Sequence, residues 1–176
     1  NHKQFPVLDE EIGKQMKQEI EDARDKQDSV GGILETVISG VEAGIGEPSF
    51  SSLESMLSEA IFSIPAVKGI EFGCGFDFAN MYGSEANDAW IIQDNKVITK
   101  TNHNGGINGG IANGMPITFK TVIKPTPSIS LEQDSVNYET KENVKLSISG
   151  RHDPAIIHRA RAVVDAMTAL VIADAY

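Results

Sequence analysis

The last stretch of the chain, Pro154–Tyr176, is predicted to be a helix that is apolar on almost every side. Its apolar residues are spread around the whole circumference: Ile156, Ile157, Val163, Val164, Ala166, Met167, Leu170, Val171 and Ile172. A helix without a polar side is normally buried between layers of other elements. The segment therefore predicts an α+β fold in which helices are sandwiched between antiparallel β-sheets.

Other parts of the chain carry shorter periodic patterns, which predict two more helices and three strands. The helices are 9–26 and Ser51–Ile64, and the strands are Asp28–Ile38, Ala66–Phe72 and Met115–Lys124. Ser51 and Glu54 match a capping box at the start of the second helix. The region from Gly73 to Gly114 is dense in glycine and lacks a clear period, which is typical of a functional or mobile loop region.

Composition and charge exclude several classes of partner. The chain has 176 residues, about one domain, and a net charge of −10 from 25 acidic and 15 basic residues. Nucleic acid is not expected as a partner, because phosphate backbones require clustered Lys and Arg. No apolar run approaches the ~20 residues of a membrane span, so no membrane partner is expected. The single Cys74 cannot form an internal disulfide, which fits a reducing compartment.

A strand-to-helix junction near the end of the chain could carry chemistry. An alternating segment, Val144–Ile148, runs into Gly150–Pro154, and the apolar helix follows. The start of a helix offers free backbone N–H groups, so Arg151 and Asp153 could hold an anion or fix a carboxylate for proton transfer. Asp followed by Pro is also an ordinary helix N-cap and first residue. Both interpretations remain open from the residues alone.

Two further segments suit a phosphorylated ligand but have plain structural alternatives. The segment Gly105–Gly114, here called the glycine loop, lets a backbone approach a ligand closely, although a bulged turn explains it equally well. The turn Lys124–Ser128 offers one cation and two hydroxyl groups to a phosphate, although an edge-strand lysine is the alternative. The four histidines lack zinc-site spacing, so no metal site is predicted.

Five motifs follow one another in a definite order and together resemble a known family. They are Asp28–Gly32, Ile64–Gly69, the glycine loop, Lys124–Ser128 and Gly150–Pro154. This series closely resembles the C-terminal half of chorismate synthase, with Ala155 at a position where the family often has Cys. The resemblance implies that 1–176 is the C-terminal portion of a chorismate synthase-like domain, a partial β-α-β sandwich whose N-terminal half is absent.

The resemblance implies an FMN-dependent carbon–oxygen lyase of the shikimate pathway, which leads to aromatic amino acids. Chorismate synthase converts 5-enolpyruvylshikimate 3-phosphate to chorismate and phosphate by an anti-1,4-elimination that requires reduced FMN. The resemblance also implies a cytoplasmic homotetramer and a link to NADP. It leaves open whether the full enzyme has its own flavin reductase activity.

The resemblance also assigns roles to individual positions. Asp153 matches the catalytic aspartate that works with the flavin to take up the substrate proton. Lys124 to Ser128 match the turn that holds the phosphate and ribityl end of FMN, and Gly109 matches a glycine of close approach. The implied cofactor-binding residues are Pro65, Ala66, Gly109, Lys124, Pro125, Thr126, Pro127, Ser128 and Arg151.

Parts of the family pattern are missing from this sequence. The N-terminal half of the family carries a Gly-Glu-Ser-His-Gly-like motif, a second catalytic histidine and phosphate-binding arginines, and none of them occurs here. The isolated chain is therefore expected to lack synthase activity. The alternative hypothesis is a non-catalytic module of this family that binds flavin or phosphate, or that only assembles with partners.

Overall fold

The structure, a computed structural model, describes residue 5 and residues 7–176. Over these residues the helices are α1 (Glu10–Asp25), α2 (Leu53–Phe62), α3 (Gly83–Ala86) and α4 (Ile157–Ala175). The strands are β1 (Gly32–Ile38), β2 (Val67–Phe72), β3 (Trp90–Gln93), β4 (Lys96–Thr99), β5 (Ile107–Asn108), β6 (Ile111–Ala112), β7 (Ile117–Ile123), β8 (Gln133–Asn137) and β9 (Glu142–Leu146). Helices with antiparallel strand pairs make the fold α+β, as predicted.

The chain folds into two compact units. One consists of the described part of the chain up to Gly32 together with Ile123–Ala160, and the other of Ile33–Val122 with Arg161–Tyr176. Among the described residues, no helix has both the length and the apolar content needed to cross a membrane.

The first unit contains helix α1 and an antiparallel hairpin. Helix α1 begins after Asp9, whose Oδ1 accepts hydrogen bonds from the backbone N–H groups of Glu11 and Ile12 at 2.7 and 3.1 Å. This cap satisfies two of the N–H groups that a helix start leaves free. Strands β8 and β9 pair with Gln133 opposite Leu146, and all of β9 is exposed.

The second unit is built on a three-stranded sheet with the order β1-β7-β2, on which helix α2 packs. The predicted alternation of β7 is confirmed, because Ile117, Phe119 and Thr121 are at most 1% exposed. The ring of Phe119 lies 5.7 Å from that of Phe72 on β2. Helix α2 faces this core with side chains that are fully buried: Leu53, Leu57 and Ile61.

The start of helix α2 differs from the prediction. Its N-cap is Ser52, whose Oγ accepts the backbone N–H of Ser55 at 3.1 Å, so the predicted capping box from Ser51 is wrong. The reason is that Ser51 already belongs to a 3₁₀ turn that begins at Ser49. The helix therefore starts one residue later than the hydroxyl spacing indicated.

The burial of helix α4 also differs from the prediction. Its buried residues are Val164, Thr168 and Val171, which lie on one stripe at helical spacing, whereas Leu170 is 64% exposed. The expectation that apolar residues all around the helix would be buried is therefore wrong for the described chain. Burial of one stripe is enough to anchor a helix. Apolar residues on the other sides of α4 therefore did not require those sides to be buried.

Hairpins also lie in the glycine-dense region, where the sequence showed no clear pattern. Strands β3 and β4 join through Asp94 and Asn95, whose φ angles of 50° and 61° are those of a tight hairpin turn. Asp and Asn tolerate this left-handed conformation better than other non-glycine residues, and that was the available signal. The strand predicted over Val144–Ile148 ends at Leu146 and pairs with β8, which the sequence did not predict.

Candidate functional site

Three of the sequence motifs meet in the first unit. The Ser29 hydroxyl donates to the Thr126 carbonyl at 2.7 Å, and the Val30 N–H donates to the Pro154 carbonyl at 2.8 Å. A Cβ added to Gly31 would lie 3.0 Å from the Cδ of Pro125, so this position has no room for a side chain. The segment Asp28–Gly32 thus contacts both Lys124–Ser128, here called the lysine turn, and the junction before α4.

Asp153 is fixed by two hydrogen bonds. Its Oδ1 accepts the backbone N–H of Ala155 at 3.1 Å, and its Oδ2 accepts from the guanidinium of Arg159, which also forms an ion pair with it. The Asp153 side chain is 30% exposed. The carboxylate is therefore held in a defined orientation and remains partly accessible.

The N-cap interpretation of Asp153 is wrong. Helix α4 begins at Ile157, and its first backbone bonds run from Arg159 and Ala160 to the carbonyl of Ile156. The Asp153 side chain instead accepts the backbone N–H of Ala155, two residues further on, and so forms a turn that is common for Asp outside helices. Because this turn uses only one Asp153 oxygen, the other oxygen can accept from Arg159.

A cavity of about 830 Å³ opens beside this carboxylate in the first unit. Its charged and titratable lining residues are Arg24, Arg151, His152, Asp153, His158 and Arg159. Three guanidinium groups against one carboxylate give the cavity an excess of positive charge, although the whole chain carries −10. Such a cavity is suited to an anionic ligand.

The lysine turn next to β7 has polar groups that are free to bind a ligand. Lys124 is exposed. The Oγ1 of Thr126 is buried and makes no hydrogen bond within the described residues. Arg151 is exposed and forms no ion pair within the same part of the chain. The unpaired Thr126 hydroxyl and the exposed Lys124 fit the predicted binding of a phosphorylated group such as FMN, and Arg151 is a further exposed cation in the same unit.

The remaining predicted cofactor residues lie in the second unit. Pro65 and Ala66 form the turn between α2 and β2, and Ala66 has a φ of +74°. A non-glycine residue in this region costs about 1 kcal/mol or more, and such strain is common at ligand sites. Gly109 has a φ of +60° with no atom within 4 Å of an added Cβ, so the backbone at this position is open to a ligand.

Asp88 is a further buried acid, which the sequence did not single out. Its side chain is 3% exposed and accepts hydrogen bonds from the Thr101 hydroxyl, the His103 N–H, and the backbone N–H and side-chain amide of Asn104 at 2.7–2.9 Å. The His103 Nδ1 lies 3.8 Å from the same carboxylate. The sequence offered only a general reason to look for such a residue, which is that an ordered loop needs acceptors for its backbone N–H groups.

The hydrogen bonds to Asp88 make the stability of the chain depend on pH. Burial alone raises the pKa of Asp88, but bonds from Asn104, Thr101 and His103 outweigh it and lower the pKa from 3.8 to about 2. A carboxyl with a lower pKa in the folded state stabilises the protein above the unfolded value, and this contribution disappears as pH falls through about 2.

We therefore expect the free energy of unfolding of the wild-type chain, relative to Asp88→Asn, to fall by about 2 kcal/mol between pH 5 and pH 2. Urea unfolding of both proteins across this range measures the difference, in which all other carboxyl groups cancel. A difference that does not change with pH would show that Asp88 is not the group that titrates.

Three cavity residues were missed from the sequence: Arg24, His158 and Arg159. Arg159 lies in the first turn of α4, six residues after Asp153. Its contact with Asp153 depends on where the helix begins, which the sequence did not show. Arg24 lies in the last turn of α1. Its positive charge in a strongly acidic helix was the sequence feature that could have marked it as a candidate site residue. His158 showed no sequence signal that we can identify.

The fold and the cavity define an α+β protein with a positively charged cavity beside one fixed carboxylate. The sequence model of the family described as chorismate synthase matches residues 1–176. The chain is 50% identical over 160 residues to the chorismate synthase of Methanococcus maripaludis, covering 91% of this chain and 43% of that protein. It is 56% identical over 148 residues to that of Lachnoclostridium phytofermentans, covering 84% of this chain and 40% of that protein.

A crystal structure of chorismate synthase shares the fold with a TM-score of 0.75 at 29% identity, covering 94% of this chain and 43% of that one. The chain belongs to the chorismate synthase family, a family of lyase-type enzymes. It spans less than half the length of the relatives named above.

Proposed function

We propose that this chain is the C-terminal portion of an FMN-dependent chorismate synthase. The proposed enzyme forms chorismate and phosphate from 5-enolpyruvylshikimate 3-phosphate by anti-1,4-elimination. The observation that carries the proposal is the family match over residues 1–176. The meeting of the Asp28, Lys124 and Asp153 motifs in one unit supports it further. The proposal includes a cytoplasmic homotetramer that acts in aromatic amino-acid biosynthesis.

The residues proposed to hold FMN are the positions that match the flavin site of the family. Lys124 to Ser128 would bind the phosphate and ribityl end, and the buried Thr126 hydroxyl would gain the partner that it lacks within the described residues. Arg151 would contact the flavin, and Pro65, Ala66 and Gly109 would line it. When bound, reduced FMN supplies electron density that assists the loss of phosphate.

Asp153 is the proposed proton acceptor. The elimination breaks the bond between C3 and the phosphate oxygen, whose electron pair leaves with phosphate, and it removes a proton from C6. Asp153 takes part in the uptake of this proton at a carboxylate oxygen, and its bonds to Ala155 and Arg159 hold that oxygen in place. The positive lining of the cavity favours the anionic substrate and the phosphate product.

The lysine turn provides a direct test of FMN binding. In the full-length protein that contains this chain, Lys124→Ala should weaken FMN binding by roughly 10- to 100-fold, the loss expected for one charge-assisted hydrogen bond. The matched control is Lys96→Ala, because Lys96 is also exposed but lies on the β3–β4 hairpin. Titration followed by flavin absorbance measures both, and equal affinities of the two variants would contradict a phosphate role for Lys124.

Turnover tests the enzymatic part of the proposal. The full-length protein with reduced FMN should convert 5-enolpyruvylshikimate 3-phosphate to chorismate, which is followed by absorbance and by phosphate release. The isolated 176-residue chain should not, because the family's second catalytic histidine and its phosphate-binding arginines are missing from it. Turnover by the isolated chain would show that the chain holds a complete active site.

A further inference from the structure

The entrance to the glycine loop is held by one buried carboxylate. Asp88 lies between α3 and β3, and its two oxygens accept four hydrogen bonds from Thr101, His103 and Asn104. These three residues immediately precede the loop. The donors include two backbone N–H groups, so the carboxylate fixes the path of the main chain as well as two side chains.

The body of the glycine loop is held separately by packing. Ile107 and Ala112 on the β5–β6 hairpin are each 3% exposed, and the carbonyl of Gly110 accepts the backbone N–H of Leu53 at 2.9 Å. A Cβ on Gly110 would lie 2.6 Å from the carbonyl oxygen of Glu47, so Gly110 is packed tightly. Gly109 is the adjacent open position.

The entrance also connects the loop to neighbouring segments of the second unit. The His103 carbonyl accepts the Cys74 N–H at 2.8 Å, and the Asn102 side chain donates to the Pro116 carbonyl at 2.8 Å. Both contacts require the main chain at residues 102–104 to follow the path that Asp88 fixes. Without the carboxylate, the four partly buried donors of Thr101, His103 and Asn104 would lose their acceptor, which is costly.

We propose that Asp88 is a positioning residue that holds the glycine loop so that the open backbone at Gly109 can approach the flavin. The inference deepens the proposed function and rests on it, because the ligand at Gly109 is the FMN of that proposal. Asp88 itself does not touch the ligand; it acts through the backbone of His103 and Asn104.

The test is Asp88→Asn in the full-length protein. Asn has the same shape, but its amide would point donors at the donors of Asn104. We expect hydrogen exchange at the His103 and Asn104 amides to become at least about tenfold faster, as expected when a bond that closes the loop is lost. FMN titration at 10 °C, under conditions where circular dichroism shows that the variant is folded, should show roughly tenfold weaker binding.

Two further variants separate positioning from general stability. Ile61→Ala removes a fully buried side chain of α2 and should lower the melting temperature without weakening FMN binding at 10 °C. Adding Asn104→Asp to Asp88→Asn exchanges the carboxylate and the amide, so the side-chain bond can form again. This double variant should recover part of the FMN affinity and of the amide protection.

Each outcome decides a different part of the inference. Unchanged exchange at His103 and Asn104 in Asp88→Asn would show that Asp88 does not hold the loop. Faster exchange with unchanged FMN affinity would show that Asp88 is only structural. If the unsubstituted protein did not bind FMN, the proposed function and the role at Gly109 would both be wrong, while the amide exchange would still decide whether Asp88 orders the loop.

Discussion

Replacing Asp153 with Asn in the full-length protein should lower kcat/KM for 5-enolpyruvylshikimate 3-phosphate by about 10²–10⁴-fold, the range typical of a lost acid–base group. Asn keeps the shape of the side chain and an oxygen for the Ala155 N–H. It removes the charge that pairs with Arg159 and the site that takes up a proton. Steady-state kinetics with reduced FMN measures the loss.

The control for this substitution is Asp134→Asn. Asp134 also pairs with a cation, Lys145, at 2.6 Å, but it lies on the exposed β8–β9 hairpin outside the cavity. Its replacement should leave kcat/KM unchanged, since exposed ion pairs contribute little. Asp153→Asn with wild-type kcat/KM would remove this residue from the proposed mechanism. Retained FMN binding in the variant would show that the loss does not come from weaker cofactor binding.

Replacing Phe119 with Ala should destabilise the fold by about 3–5 kcal/mol, the range measured for buried aromatic residues. Phe119 is 1% exposed at the centre of β7, and its ring packs against Phe72 on β2. Its removal leaves a cavity between two strands of the central sheet, which neighbouring side chains fill only in part. Urea unfolding should show the loss, and the melting temperature should fall by roughly 10 °C.

The matched control for Phe119 is Phe76→Ala. Phe76 is 85% exposed in the 3₁₀ segment Gly75–Asn80, so its removal should change stability by no more than about 0.5 kcal/mol. Equal effects of the two substitutions would show that the sheet around Phe119 is not the main core of the second unit.

Local patterns predicted the elements in which buried and exposed residues alternate with a regular period. Strand β7 and helices α1 and α2 lie within two or three residues of their predicted bounds, because periodic burial requires a periodic sequence. Predictions that depended on packing were less accurate. Helix α4 carries apolar residues on almost every side but buries only one stripe, and which stripe is buried depends on what surrounds it.

The candidate site shows the same division. The motifs around Lys124 and Asp153 were recognisable in the sequence because each is a short segment with its own turn chemistry. Their contact through Ser29 and Val30 could not be predicted, because about a hundred residues separate the hydrogen-bonded partners. A local sequence pattern does not indicate a hydrogen bond over that distance in the chain. Arg24 is likewise distant from Asp153 in the sequence, whereas the contact of Arg159 with Asp153 depends on where helix α4 begins.

The sequence by itself determined the family and the periodic helices and strands, and it supplied the residues that are proposed to bind FMN and take up a proton. The tertiary structure alone decided that Asp153 is oriented by Arg159 rather than by a helix start. It also showed that Asp88 holds the entrance of the glycine loop. The physical reason is that residue types and periods are local properties, whereas a carboxylate's partners depend on the path of the whole chain.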